Sequence, residues 1–418
     1  MVLLVCIRSR PQLKSPDAMF RVLPLVMPDS LLSRVRLPVI VLAQFAGTSL
    51  WFAGNAILPD LQPLLNNPDL NGWITSAVQL GFIGGTLLYA LLAIPDRFPT
   101  TPVFLVSVIL AAVANAGWLF LPLQASTVLI SRVLTGFFLA GVYPVGMKLA
   151  ADWFRPVLGR AMGFLVGALV LGTAFPHLLR GLGTTLPYRN LMLVVSGLAI
   201  GGGVLLFLVV PSKPLPTQRT RFRPDALRTL FQPSAFRPAM LGYFGHMWEL
   251  YTVWAFLPLL IGAYNTLHPN EPLNVSLTSF LTIAAGMLGC VLGGFRALQI
   301  GSRRVARYLL ITSGLCLVLV PLLTSLPPFW FVLFLVIWGA TAAGDSPQFS
   351  TLVANYAPTE SRGSTLTLVT CIGFLITVIS IQAMAGLVAQ FGASVWLFWL
   401  LLPGPMLGVL AVSVNEDR

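Results

Sequence analysis

Twelve stretches of this chain are each apolar over roughly the twenty residues that cross a bilayer as one helix. Their limits are 37–59, 73–94, 102–122, 126–149, 161–180, 190–211, 238–262, 277–297, 305–325, 328–353, 364–387 and 393–413. A segment in hydrocarbon must satisfy every backbone N–H and C=O internally, which a helix does and an open strand does not. The expected fold is therefore an all-α integral membrane protein of twelve transmembrane helices, numbered here as spans 1 to 12. Composition agrees, since only 9% of the residues are charged, against roughly 25% in soluble domains.

The connections are short except for one basic, proline-rich stretch at 212–237, SKPLPTQRTRFRPDALRTLFQPSAFR, which reads as a linker. It divides the chain into two six-helix bundles, 37–211 and 238–413, flanked by a basic arm at 1–36 and a tail at 414–418. Met19 and Met27 leave Met1 as one of three possible starts. The basic residues number 25, and 21 of them fall in the arm, the linker, the tail and the even-numbered loops that share one side with these. Arg180 and Arg189 fall on the other side, and Arg132 and Lys148 lie within span 4. By the positive-inside rule both termini are cytoplasmic, and the expected location is a cell inner (cytoplasmic) membrane. The formal charge of +12 does not point to nucleic acid, because the basic residues sit between apolar runs rather than along one stripe. Cys6, Cys290, Cys316 and Cys371 make neither a metal spacing nor a disulfide framework. No Walker loop, HEXXH helix or nucleophile elbow is present, so neither an enzyme nor a cofactor is expected.

An internal repeat is legible. Moving the second half back by 203 positions superposes Trp254 on Trp51, Gly339 on Gly136, Gly344 on Gly141 and Pro347 on Pro144. A duplicated six-helix unit is a transporter signature.

Two pseudo-symmetric bundles, a basic central loop and both ends inside resemble the major facilitator superfamily. After span 2 the segment LLAIPDRFPTTP keeps the family's Asp-Arg pair as Asp96 and Arg97, with Leu92 and Pro99 where the family has glycines. After span 8, GGFRALQIGSRRVARY keeps Gly294, Gly301 and Arg303, while Leu298 and Gln299 replace the pair. Arg132 and Gly136 resemble the family's arginine motif in helix 4, and the loop DWFRPVLGRAMGF that follows is also similar. Within the superfamily the chain loosely resembles the nitrate, nitrite and cyanate branch, although Arg296 sits at a helix end and spans 2 and 8 carry no arginine at mid-membrane.

Within spans, ionisable groups cost at least about 2.5 kcal/mol and mark function by default. Glu249 and His246 lie three apart near the middle of span 7, on one helical face. Asp345 lies in span 10 within GATAAGDSPQFS, where Pro347 removes a backbone bond and Ser346 and Gln348 flank the bend. These make Glu249, Asp345 and His246 the candidates for proton coupling. The resemblance implies that Arg132 holds an anionic substrate or takes part in coupling. It also implies that spans 1 and 7 line a central cavity, which Trp51, Trp248, Tyr251 and Trp254 would wall. Gln348 and Ser346 join them as substrate-binding candidates. Asp96 and Arg97 read as a cytoplasmic latch, and Pro144 and Pro347 as gating bends. Lys148 and His177, near span ends, read as snorkelling side chains. Glycines 286, 289, 293 and 294 of span 8 suit close packing.

The expected activity is secondary transport of a small solute by alternating access, coupled to H+, with an organic or inorganic anion favoured on account of Arg132. The expected partners are that small-molecule substrate, the proton and the lipid bilayer, with the chain acting as a monomer and no metal. The alternatives are a proton-coupled exporter of drugs or amphipathic cations, and a non-transporting membrane sensor or assembly protein on the same fold.

Overall fold

A computed structural model describes residues 29–67, 70–154, 158–182, 186–213, 226–231, 236–358 and 361–413. The arm at 1–28 with its three candidate starts, Arg155, most of the linker (214–225 and 232–235) and the tail at 414–418 lie outside the described residues.

Among the described residues the fold is helical throughout, and eleven helices are long and apolar enough to cross a membrane. They correspond to spans 2 to 12. Span 7 is Phe236–Leu267 and runs five residues beyond the apolar stretch read from sequence. Span 8, Val275–Ile300, starts where the Asn274 side chain accepts from the Leu277 N–H at 3.0 Å, which satisfies one of the unpaired donors of a first turn. It ends at Gly301, with φ +86°, the left-handed conformation that glycine adopts without strain.

Span 1 departs from the single helix expected over 37–59. Helix Asp29–Thr48 stops at a turn over residues 49–52, and the chain continues as Ala53–Ala56 and Leu58–Leu65. Its unbroken apolar part, Val35–Thr48, is too short to cross a membrane alone. The break is held by hydroxyls and a guanidinium. The Thr48 hydroxyl donates to the Gln44 carbonyl (2.8 Å), Ser49 to Ala46 (2.7 Å), and Arg132 donates to the carbonyls of Leu50 and Trp51. Buried carbonyls freed by a break need such donors.

Spans 4 and 10 break at matching places. Span 4 is Ala125–Leu139 followed by Tyr143–Trp153, and span 10 is Pro328–Gly344 followed by Ser346–Tyr356. Pro144 and Pro347 each stand in the first turn of the second piece, where a missing N–H costs nothing. Ahead of each break one glycine meets a neighbouring backbone. A Cβ on Gly136 would come within 2.0 Å of the Val78 carbonyl oxygen of span 2, and one on Gly339 within 1.8 Å of the Thr282 oxygen of span 8. The repeat read from sequence is thus a repeat of breaks and of close helix approach.

The two halves meet along spans 5 and 8 and along spans 2 and 11. Near the side that carries Asp60, the Asn274 amide donates to the Gly181 carbonyl (3.2 Å) across the first contact, and the Gln382 amide donates to the Ser76 hydroxyl (2.8 Å) across the second. On that same side Arg180 grips the Asp60 carboxylate with two nitrogens at 2.6 and 2.8 Å, a paired, geometrically specific contact. It ties the continuation of span 1 to span 5.

Candidate functional site

The ionisable residues of the second half gather where spans 7, 9 and 10 pack. One Glu249 carboxylate oxygen accepts from the Trp338 indole N–H at 3.0 Å and from the Ser313 hydroxyl. One turn earlier on the same face, His246 uses both ring nitrogens. Nδ1 lies 2.8 Å from the Asp345 carboxylate, and Nε2 lies 2.8 Å from the Ser346 hydroxyl. His246, Glu249 and Asp345 are each no more than 2% exposed. Among the described residues neither carboxyl pairs with lysine or arginine. The imidazole is therefore the basic group that meets these carboxyls among the described residues, and a buried charge without a partner is costly.

Asp345 is also the residue at which span 10 breaks. His246 thus contacts two consecutive residues of that break. The matching break in span 4 carries Val142 and Tyr143 at the corresponding positions, and has no ionisable pair.

In the first half, Arg132 is fully buried. Besides the carbonyls of Leu50 and Trp51 it donates to the Asn115 amide oxygen at 2.8 Å, and Asn115 donates in turn to Ser196. Both terminal guanidinium nitrogens are occupied. In this conformation Arg132 fixes the turn of span 1 and so places Trp51.

Trp51 is the centre of an aromatic cluster between the halves. Its ring lies 4.8 Å from Phe82, 5.6 Å from Phe374 and 6.0 Å from Tyr251, centre to centre. Phe52 reaches Tyr251 and Trp254 at 6.3 and 5.9 Å. Three of the expected aromatic residues, Trp51, Tyr251 and Trp254, are thus brought together. Trp248 is not one of this group: its indole N–H donates to the Leu400 carbonyl at 3.0 Å and its ring packs against Gly404 of span 12. Ser346 faces His246, whereas the Gln348 amide lies against Gly293 of span 8.

On the side opposite Asp60, Asp96 pairs with Lys148, which also donates to the Pro95 carbonyl. Lys148 is therefore bound to the loop after span 2 rather than snorkelling, because the turn Ile94–Arg97 brings a carboxylate within its reach. Arg97 is exposed beside it. His177 is also not a snorkelling side chain: it is 2% exposed, and its Nε2 has no partner.

Sequence reasoning missed Ser313, Trp338, Phe82, Phe374 and Lys148 as partners. Each lies on another span from the group it touches, and a long-range pairing leaves no local pattern. A signal did exist for Phe82, which falls one turn beyond Gln79 and two beyond Thr75 on one stripe of span 2.

Residues 40–381 match the sequence profile described as the Major Facilitator Superfamily. No curated protein matches the sequence. Among solved structures, the human organic anion transporter MFSD10 (TETRAN) superposes with a TM-score of 0.70 at 18% identity, covering 93% of this chain and 99% of the other. The proton:xylose symporter XylE bound to 6-bromo-6-deoxy-D-glucose superposes with a TM-score of 0.69 at 14% identity, covering 93% and 96%. At such identities the likeness shows a shared fold.

Proposed function

Because the chain belongs to the major facilitator superfamily of membrane transporters, we propose that it is a secondary transporter coupled to protons through Glu249, His246 and Asp345. The observation that carries this reading is the buried cluster at spans 7, 9 and 10, where two carboxyls and an imidazole share a site in which, among the described residues, neither carboxyl pairs with lysine or arginine. One of the carboxyls stands at the break of span 10, so a proton gained or lost there changes the energy of a bend. That is the differential interaction by which a ligand shifts a conformational equilibrium. The halves at 37–211 and 238–413 rock about a site near the midplane and expose it to each face in turn. The side carrying Asp96 is cytoplasmic, as its basic loops require. The chain works as a monomer in the cytoplasmic membrane.

The expectation of an anionic solute rested on Arg132, whose guanidinium is bonded to Leu50, Trp51 and Asn115. Only its Nε–H has no partner, so the anion preference rests on that one donor. The test is proton movement in proteoliposomes holding a pH-sensitive dye, with inorganic anions, organic acids, lipophilic cations and uncharged aromatics offered in turn. One class is expected to move protons with the native chain. Glu249→Gln should abolish that movement and leave solute exchange intact. Solute movement with unchanged proton flux in the variant would refute coupling through Glu249.

A further inference from the structure

The cluster between the halves combines stacked rings with buried polar atoms that lack partners. The indole N–H groups of Trp51 and Trp254 have no acceptor, the Gln79 amide has neither donor nor acceptor partner, and the Asn55 amide oxygen has no donor. Trp51 and Gln79 are fully buried, Trp254 is 1% and Asn55 5% exposed. Each such group costs roughly 1–3 kcal/mol in desolvation, a cost that the complementary groups of a ligand would offset. Asn55 touches Thr75 at 2.6 Å. Gln79 follows Thr75 by one turn and precedes Phe82, which meets Trp51. The unpartnered groups therefore border the rings.

The stacking runs across the boundary between halves. Trp51 and Phe52 belong to the first half, Tyr251 and Phe374 to the second. Their cross-boundary pairs are near parallel: Trp51 with Tyr251 at 27°, Trp51 with Phe374 at 26°, and Phe52 with Tyr251 at 26°. Parting the halves by about 3.5 Å, one layer of atoms, opens a slot with an aromatic face on either wall. A flat guest restores the offset stacking that the parted rings lose.

We propose that this slot is the substrate site and that it takes an uncharged, planar aromatic or heteroaromatic molecule bearing a group that both donates and accepts hydrogen bonds, such as a carboxamide. This rests on the reading of the chain as a transporter. The indoles and the Gln79 amide supply donors, and Gln79 and Asn55 supply acceptors. A cation has no carboxylate at these rings. An anion meets only the Nε–H of Arg132, whose two terminal nitrogens are bonded to backbone and Asn115. Polyhydroxylated solutes would need more polar groups than the four residues offer.

The test uses the full chain in lipid nanodiscs and three probes that share one ring and differ in charge: benzamide, benzoate and benzamidine. Calorimetric titration is expected to give benzamide a Kd at least about ten-fold below either charged probe. Trp51→Phe and Trp254→Phe keep a ring and remove the N–H, and each should weaken benzamide by about five- to ten-fold, as loss of one hydrogen bond does. Gln79→Leu should do the same and serves if either tryptophan variant fails to fold. Tightest binding of benzoate or benzamidine, equal binding of all three, binding of none, or indifference of benzamide to these substitutions would each overturn the proposal. If benzamide fails to bind while Glu249→Gln still abolishes solute-driven proton movement, the substrate class falls and the coupling reading stands. If benzamide binds and proton movement ignores Glu249→Gln, the reverse holds.

Discussion

His246 and Asp345 are each at most 2% exposed and lie 2.8 Å apart, so neither can be removed alone without stranding the other. Taking one partner from a buried pair costs about 3–5 kcal/mol, whereas replacing both with apolar side chains of similar volume is often close to neutral. Asp345→Leu is therefore expected to lower unfolding stability in detergent by that amount, and His246→Leu with Asp345→Leu to recover most of it while abolishing pH-dependent transport. A double variant as unstable as the single one would show that the pair does not act as a unit. Arg132 gives a second test at this scale. Its planar fork serves three acceptors at once, which a lysine ammonium cannot reproduce. Arg132→Lys should lose about 1.5–3 kcal/mol for each charged hydrogen bond forgone, read as a fall in Tm. If Arg132 instead waits for an anion, Arg132→Lys will keep its Tm and lose affinity.

The elements of the fold were legible in the sequence to different depths. Lengths and apolarity placed spans 2 to 12, because hydrocarbon leaves a spanning segment little choice but helix. The repeat offset and the prolines marked bends at the matching positions of spans 4 and 10, Pro144 and Pro347, though proline is tolerated in membrane helices and does not by itself tell a bend from a break into two helices. The turn in span 1 was hidden altogether: residues 49–52 read Ser-Leu-Trp-Phe, and what stabilises it is an arginine 81 and 82 positions away. The candidate site divides the same way. Glu249, His246 and Asp345 stood out by the cost of charge in a span, but the direction each side chain takes is set by packing. That is why Trp248, three residues before Tyr251, ends against span 12. Gly136 and Gly339 supply the test for elements. A methyl at either would meet a carbonyl oxygen of the facing helix at 2.0 or 1.8 Å, and backbone cannot yield that much in a packed bundle. Gly136→Ala and Gly339→Ala should each sharply reduce the folded yield by size-exclusion chromatography, while Gly84→Ala, with nothing within 4 Å of its added methyl, should leave it unchanged.

On the side of Asp60 the hydrogen bonds Asn274–Gly181 and Gln382–Ser76 join the two halves of the molecule. The pair that would govern opening lies in one half only, at the break of span 10, and the first half presents its matching break without charge. Alternating access in this account is driven by protonation of the second half, with the first half following through the contacts of span 5 with span 8 and span 2 with span 11. The most direct measurement is the distance between spin labels at Leu182 and Glu271, both exposed on that side, in a chain whose four cysteines are replaced by alanine, read by double electron–electron resonance in nanodiscs from pH 5 to pH 9. The account predicts that the distribution shifts between a short and a long distance with pH, and that Glu249→Gln with Asp345→Asn holds one population at every pH. The same shift in that variant as in the parent chain would contradict it.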